Sequence, residues 1–474
     1  MEFPARRFLL LCCLFPAMTS QAVQPDTVVI PAAPDLNALT PSQRGSTSAE
    51  EKRQTVTNQT LQNQPAMAGA LLNQAVEQQQ WPVVKGILPV YQSSPQADPL
   101  LVMYAQAGLA RNEGKLTEAA VLYREMLSQH PDLVPVRLDL ARTLFEDRQY
   151  EAAAWNFQQA RAGNPPPAVQ ENINHYLSYI QNHRGWVGNL SLSYLNDSNV
   201  NNASDGKTIR IGDRLFERDP DSYPKRGEGI YYGGTLQRDF NQADHHNIRF
   251  RTTLSGKSYW NNHAYDDIIS RAYLGYVYQD ARQQLALLPF YEKRWYGTAA
   301  YSYGAGVRGE FSYLIAADWQ LSQAVEYQQL SYDSQDYRYL RGDNRLLSTT
   351  LAHAINSRLS LFGGIDIGEQ KTQLASETHQ RVGGRFGLQT ALPYGISMGA
   401  MASFAQRRYQ AENDIFQQKR QDKEQLYALS LWHRDLYFFN LMPKINVIYK
   451  RIDSNIDFYR YDTLNVFLSV DREF

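Results

Sequence analysis

Gly304, Gly306 and Gly309 stand in the string Gly304-Ala305-Gly306-Val307-Arg308-Gly309, the spacing with which a loop at a helix N-terminus cradles the pyrophosphate of a dinucleotide. That chemistry needs a helix directly after the string, and here the string lies inside a strand-like alternation and opens none. The glycines are therefore expected to make room in the wall of a barrel. Asp197, Asn199 and Asn201 place oxygens at the alternate positions that begin a calcium loop. Asn202 stands where such a loop needs glycine and Thr208 where it needs a bidentate carboxylate, so an exposed Asn-rich loop is the better reading. Arg341-Gly342-Asp343 has the composition of an adhesion tripeptide, and turn-forming residues in a loop account for it equally well. The nine histidines show no metal-protease spacing, and His245-His246 falls in a short turn where solvated polar residues are ordinary. No base is paired with a nucleophile. Neither catalysis nor a metal or other cofactor is expected.

What remains is a set of charges at alternating positions, and their meaning depends on the elements that carry them. After Gly185 apolar residues recur with period two. Leu190, Leu192 and Tyr194 alternate with Asn189, Ser191 and Ser193, and in the last segment Leu464, Val466, Leu468, Val470 and Phe474 oppose Asn465, Ser469, Asp471 and Glu473. Such strands offer one face to lipid and one to a polar interior. Fourteen of them are expected, near 186–195, 228–240, 245–258, 266–279, 284–296, 300–313, 320–332, 342–353, 358–370, 379–391, 395–408, 422–433, 440–452 and 461–473. Each is long enough to cross a bilayer when tilted. The links 241–244, 280–283 and 392–394 are short, whereas 196–227, 409–421 and 453–460 are longer and sit at the opposite strand ends, as periplasmic turns and outer loops do. Both termini then face the periplasm, which demands an even count. Phe474 supplies the terminal aromatic residue common among chains destined for outer-membrane insertion, and is read as the insertion signal. On the polar faces Arg249, Arg251, Lys257, Arg271, Glu292 and Arg294 are predicted to point into the lumen, there to salt-bridge across it or to act in passage or gating.

Upstream the period is helical. From Gln64 to His183, Ala107, Gly114, Ala119, Tyr123 and Pro131 recur as Ala141, Arg148, Ala153, Phe157 and Pro165. That offset is the length of a tetratricopeptide repeat, roughly 34 residues. The alanines let two helices approach, the aromatic residue fills the gap to the next repeat, and the prolines end the second helix. A degenerate copy precedes them around Leu72 and Trp81–Tyr91, and 168–181 reads as a capping helix, which so short a stack needs. Residues 23–63 are rich in Pro, Gln, Ser and Thr and cannot bury enough apolar surface to fold, so they are expected to form a mobile arm.

Arg6-Arg7 followed by the apolar run Phe8–Phe15 and by Ser20-Gln21-Ala22 reads as a secretory signal peptide over 1–22. A lipoprotein signal competes at Cys12, but Leu11 before it is not small. Cys12 and Cys13 are the only cysteines, so the mature chain is expected to hold no thiol. A net charge of −1 removes the sequence-wide basicity of a nucleic-acid binder, and a mean hydropathy of −0.50 goes with the lack of a long apolar helix. The expected fold class is α + β multidomain: a tetratricopeptide-like α-helical domain over 64–184, then an antiparallel transmembrane β-barrel of about fourteen strands over 185–474.

The repeat residues, the junction Asn182-His183-Arg184-Gly185-Trp186-Val187-Gly188, the first strand Leu190-Ser191-Leu192-Ser193-Tyr194-Leu195-Asn196-Asp197-Ser198-Asn199-Val200-Asn201 and the strand ending in Phe474 together resemble the surface lipoprotein assembly modulators, the Slam family. The resemblance implies an outer-membrane translocon that carries a partner, a surface lipoprotein or a soluble secreted protein, from periplasm to cell surface. It implies no catalytic residues. A cargo-binding groove on the inner helices would present Tyr104, Arg111, Arg142 and Phe145 as exposed contacts. Outer-membrane lipid, the barrel-assembly machinery and periplasmic chaperones are the other expected partners, nucleic acid is not one, and a monomer is expected. An exopolysaccharide exporter and a host-colonisation adhesin acting through its own loops are the competing readings.

Overall fold

The computed structural model describes Leu61 and residues 64–163, 165–183, 185–211, 213–356, 358–433, 435–436 and 441–473. The expected signal peptide, the expected arm apart from Leu61, and Phe474 lie outside the described residues.

Among the described residues seven long helices precede the first strand: α1 (Pro65–Glu77), α2 (Trp81–Gln92), α3 (Pro99–Asn112), α4 (Leu116–Gln129), α5 (Val134–Glu146), α6 (Tyr150–Ala162) and α7 (Pro167–His183). Proline within the first two positions starts α1, α2, α3 and α5, where its missing N–H is not needed and its fixed φ suits the helix. Asp98 caps α3 by accepting a hydrogen bond from the Leu100 N–H at 2.9 Å.

The turn inside each helix pair needs a left-handed residue, and successive pairs supply it at equivalent places: Gln79 (φ 56°), Gly114 (φ 75°) and Arg148 (φ 58°). Only Gly114 adopts that conformation without a Cβ penalty. The repeat residues pack as their pattern requires. Ala107, Ala119, Ala141 and Ala153 are completely enclosed, and Tyr123 and Phe157 are buried between successive pairs. α7 closes the stack, with Ile173 and Ile180 joining the same core.

The chain then forms a closed antiparallel barrel of fourteen strands. These are β1 (Val187–Asp197), β4 (Gly227–Ala243), β5 (His246–Tyr259), β6 (Asp267–Gln279), β7 (Gln283–Tyr296), β8 (Ala299–Ala316), β9 (Trp319–Tyr332), β10 (Gly342–Ala354), β11 (Leu359–Thr372), β12 (His379–Ala391), β13 (Ile396–Glu412), β14 (Lys419–His433), β15 (Met442–Ser454) and β16 (Tyr461–Glu473). Leu254, Leu274, Leu287, Val325, Ile365, Phe386, Ile445 and Leu464 stand exposed on the outside. A continuous apolar exterior over a polar interior is stable only against lipid.

Gly306 shows why the glycine string belongs in a strand. A Cβ there would sit 2.3 Å from the Tyr327 carbonyl oxygen and 2.6 Å from the Phe290 ring, so glycine lets the luminal ring lie flat on the wall.

At the end carrying the helices the strands are joined mostly by tight turns, among them 244–245, 280–282 and 317–318; at the far end longer connections predominate, although 297–298 there is a two-residue turn. The expected long link over 409–421 shrinks to 413–418 because β13 and β14 keep pairing beyond the bilayer-length pattern, out to Glu412 and Lys419. The long link expected over 196–227 spans 198–226 and holds a hairpin that its sequence did not announce, β2 (Thr208–Ile211) paired with β3 (Arg214–Glu217).

Candidate functional site

The inner helices α3 and α5 bring three of the four proposed groove residues together around one carboxylate. The Tyr104 hydroxyl donates to Asp139 Oδ2 at 2.6 Å. Arg111 donates from Nε and Nη2 to Glu146 at 3.0 and 2.5 Å, and both Arg111 and Arg142 lie within 3.7 Å of Asp139. Burial first, and then the Asp139 charge, push the Tyr104 hydroxyl well above its ordinary pKa, so it remains a donor.

The expectation of exposed anchors needs correction. All four residues are half-buried, because Tyr104 with Asp139 and Arg111 with Glu146, each pair 35 residues apart and running from α3 to α5, tie one repeat to the next. Phe145 lies away from the charged ladder, edge-on to Tyr150, Tyr176 and Tyr179 with ring centroids 5.6, 4.9 and 5.2 Å away. It seals α5 against the capping helix. Arg142 and Glu146, with side chains 34% and 43% exposed, are the members of this group most open to a partner.

The left-handed turns that close the second and third helix pairs rest on the barrel. Asp147, just after α5, places Oδ2 3.0 Å from His245 Nε2 in the β4–β5 turn. The Gln149 amide donates to Asp147 at 2.9 Å and lies 3.3 Å from the same imidazole nitrogen. One repeat earlier, Gly114 sits against the guanidinium of Arg282 in the β6–β7 turn, where a Cβ would come within 2.8 Å. Sequence reading placed His245 in a solvated turn; its partner lies 98 residues upstream, and nothing local announces the pair.

This contact titrates. The hydrogen bond that the imidazole donates to Asp147 raises the His245 pKa above 6.5, with burial opposing and the charges of Asp147 and Asp280 adding to the rise. The Tyr278 ring also faces the imidazole, 5.6 Å away. A docked pKa above the undocked one means that docking is favoured in full below the ordinary histidine range and loses this contribution as pH rises through the raised value. Spin labels on exposed Val121 in α4 and on Gln242 at the barrel turn should therefore give a narrow distance distribution at acidic pH and a broader one at alkaline pH. His245→Ala should flatten that dependence; an unchanged pH response in the variant would remove His245 from the contact.

Inside the barrel the six residues singled out from sequence all lie in the wall lining, each facing an oppositely charged residue, Arg249, Arg271 and Arg294 on an adjacent strand and Arg251 and Lys257 on a strand further round the wall. Arg249 pairs with Asp239 at 2.7 Å, Arg251 with Glu310 at 3.0 Å and Arg294 with Asp267 at 2.8 Å. Lys257 stands 3.8 Å from Asp197. Arg271 joins Glu292 at 2.5 Å and Glu326 at 3.0 Å, and Arg308 links Glu326 at 2.9 Å to Glu310 at 2.7 Å. The result is one chain of alternating charge across β5 to β9. Sequence reading passed over Arg308, Glu310 and Glu326, although the two-residue spacing of Arg308 and Glu310 on β8 and the place of Glu326 on an inward face of β9 carried the signal.

A second network braces the opposite wall. Glu424 sits between Arg381 at 2.7 Å and Arg407 at 2.9 Å, and Arg385 binds Asp366 and Thr350.

At the far end Asp197 accepts from the Asn199 N–H at 3.0 Å. Asn199 bridges both backbone groups of Ala203, and Asn201 holds Tyr223 O and Lys225 N at 2.9 Å each. The oxygens that resembled a calcium loop are thus spent on folding the loop inward.

Two family models match this chain. Residues 186–474 match the surface lipoprotein assembly modifier model, and residues 54–157 match the model of that family's N-terminal tetratricopeptide repeats. Surface lipoprotein assembly modifier 1 of Haemophilus influenzae is 31% identical over 94% of this chain and 92% of its own length. The surface lipoprotein assembly modifier of Pasteurella multocida is also 31% identical, over 90% of this chain and 87% of its own. The hemophilin secretion modulator of Acinetobacter baumannii is 26% identical over 84% of each chain.

Proposed function

The chain belongs to the surface lipoprotein assembly modifier family of outer-membrane barrels, and from that premise we propose that it is a translocon delivering a partner protein from periplasm to cell surface. The partner is a surface lipoprotein or, as the name of the relative concerned with hemophilin secretion suggests for that protein, a secreted one. The observation that carries this reading is the seating of the helical repeats on the turns at one mouth of the barrel, through Asp147 and His245. A module so placed in the periplasm meets cargo at the entrance to the membrane.

Cargo would reach the open face of α3 and α5 near Arg142 and Glu146, while Tyr104, Arg111 and Phe145 hold the shape of that face. The lumen is crossed by buried ion pairs, so passage requires rearranging them or opening the wall. A monomer suffices for this mechanism, since one chain closes its own barrel. Barrel-assembly machinery and periplasmic chaperones would act before it, during insertion.

The test is display. A cognate lipoprotein coexpressed in a Gram-negative host should become sensitive to protease added outside intact cells only when this chain is present. Equal sensitivity without the chain, or export of a polysaccharide in place of the protein, would overturn the reading.

A further inference from the structure

Thirteen of the fourteen seams of the barrel are paired over eleven to fourteen residues. Among the described residues the seam between first and last strands is paired over five, from Asn189 opposite Glu473 to Ser193 opposite Ser469. The pairing is confined to the half nearest the helices. Beyond it, Tyr194–Asp197 of β1 and Tyr461–Leu468 of β16 continue as strands without pairing to each other. Strand edges left open at membrane depth offer backbone donors and acceptors that neither lipid tails nor apolar side chains can satisfy.

The luminal side of the same seam is also incomplete. Ser191 Oγ, Ser193 Oγ, Asn465 Oδ1 and Asp471 Oδ1 are buried without a hydrogen-bond partner. Ser193 and Asn465 are 4% and 6% exposed. Buried polar atoms are normally paired; Ser191, Ser193 and Asp471 lie in the short paired stretch, which ends at Ser193, and Asn465 lies in the open stretch beyond it. Behind the open stretch lies a cavity of about 20 Å³ lined by Asp197 of β1, Lys450 of β15 and Thr463 and Asn465 of β16. Outside, Tyr194, Leu464, Val466 and Leu468 present an apolar face.

We propose that the far half of the β1–β16 seam is a docking site for an extended polypeptide strand, which adds to the open edges by backbone hydrogen bonding. The occupant is a client segment with alternating character, small polar side chains inward toward Ser193 and Asn465 and apolar side chains outward beside Tyr194 and Val466. Continuity with the pairing already present sets its direction, since each edge extends a ladder that stops for want of a partner. This proposal rests on the delivery reading for its physiological client, but not for its chemistry.

The probe is a labelled ten-residue peptide of alternating Val and Thr, added to the purified full chain in detergent. The photoreactive residue p-benzoylphenylalanine is placed singly at Tyr194, at Val466 or, as a control on a fully paired outward-facing strand, at Val382. About tenfold more peptide adduct is expected at Tyr194 and Val466 than at Val382, and the excess should vanish with a peptide N-methylated at every residue, which has no backbone N–H to donate on either edge. Heat-modifiable gel migration verifies that each variant is folded, and two independent positions guard against the loss of one.

Equal adduct at all three positions, undiminished adduct from the methylated peptide, or adduct with lipid alone would overturn the strand site. Specific adducts in a chain that displays no lipoprotein on cells would leave the seam standing and remove the delivery reading.

Discussion

Arg271→Ala should destabilise the barrel by about 3–5 kcal/mol, the cost of leaving a buried charge without its partner. Arg271 donates to Glu292 at 2.7 Å, to Glu326 at 3.0 Å and to the Tyr273 hydroxyl at 3.1 Å, and its guanidinium lies 4.3 Å from the Phe290 ring centre. Glu326 keeps Arg308 after the substitution, but Glu292 keeps only the Gln328 amide at 3.0 Å. The uncompensated carboxylate is thus Glu292, and Arg271→Ala combined with Glu292→Gln should recover much of the loss.

The exposed pair Arg345–Glu369, with side chains 49% and 25% accessible, provides the contrast: Arg345→Ala should cost less than about 1 kcal/mol. Urea unfolding of the barrel reconstituted in lipid measures all three variants. Equal midpoints for Arg271→Ala and Arg345→Ala would show that the luminal network does not brace the wall.

Removal of residues 64–183 should reduce surface display about a hundredfold while leaving the barrel folded. The magnitude is that of a lost tether: a module fixed at the mouth holds its client at high local concentration, and free diffusion does not replace it. Every strand of the closed barrel comes from residues 187–473, so its heat-modifiable migration should persist. Undiminished display by the shortened chain would confine the repeats to a role other than receiving cargo.

Much of this architecture is written in periodicity. The switch just after Gly185 from helical spacing to alternation is a property of local sequence, because one face of each strand meets lipid and the other does not. Leu190, Leu192 and Tyr194 therefore read correctly as outward residues. The same holds for the repeats: Ala107 and Ala141, or Tyr123 and Phe157, occupy equivalent cores and had to be similar.

What could not be read from one segment depends on two. Tyr104 and Arg111 looked like exposed contacts because inner-helix positions often are; Asp139 and Glu146, one repeat later, neutralise them. That correction was available in principle, since each acid stands one position past the repeat equivalent of its partner, on the facing inner helix. His245 had no such signal, and neither had the short β1–β16 pairing, which depends on how the closed sheet distributes its register. The short hairpin at 208–217 escaped because four-residue strands carry too little alternation to stand out among the polar residues around them.

Delivery outward requires the helical repeats inside the periplasm and the longer loops outside, and cysteine labelling decides this directly. Cys12 and Cys13 are the only native cysteines and fall in the expected signal peptide, so single substitutions report on their own. Arg338→Cys at the far end of the barrel should react with a membrane-impermeant maleimide on intact cells, whereas Val121→Cys in α4 and Gln242→Cys beside the β4–β5 turn should react only after the outer membrane is permeabilised. Labelling of Val121→Cys on intact cells, with Arg338→Cys protected, would invert the chain and contradict export from the periplasm.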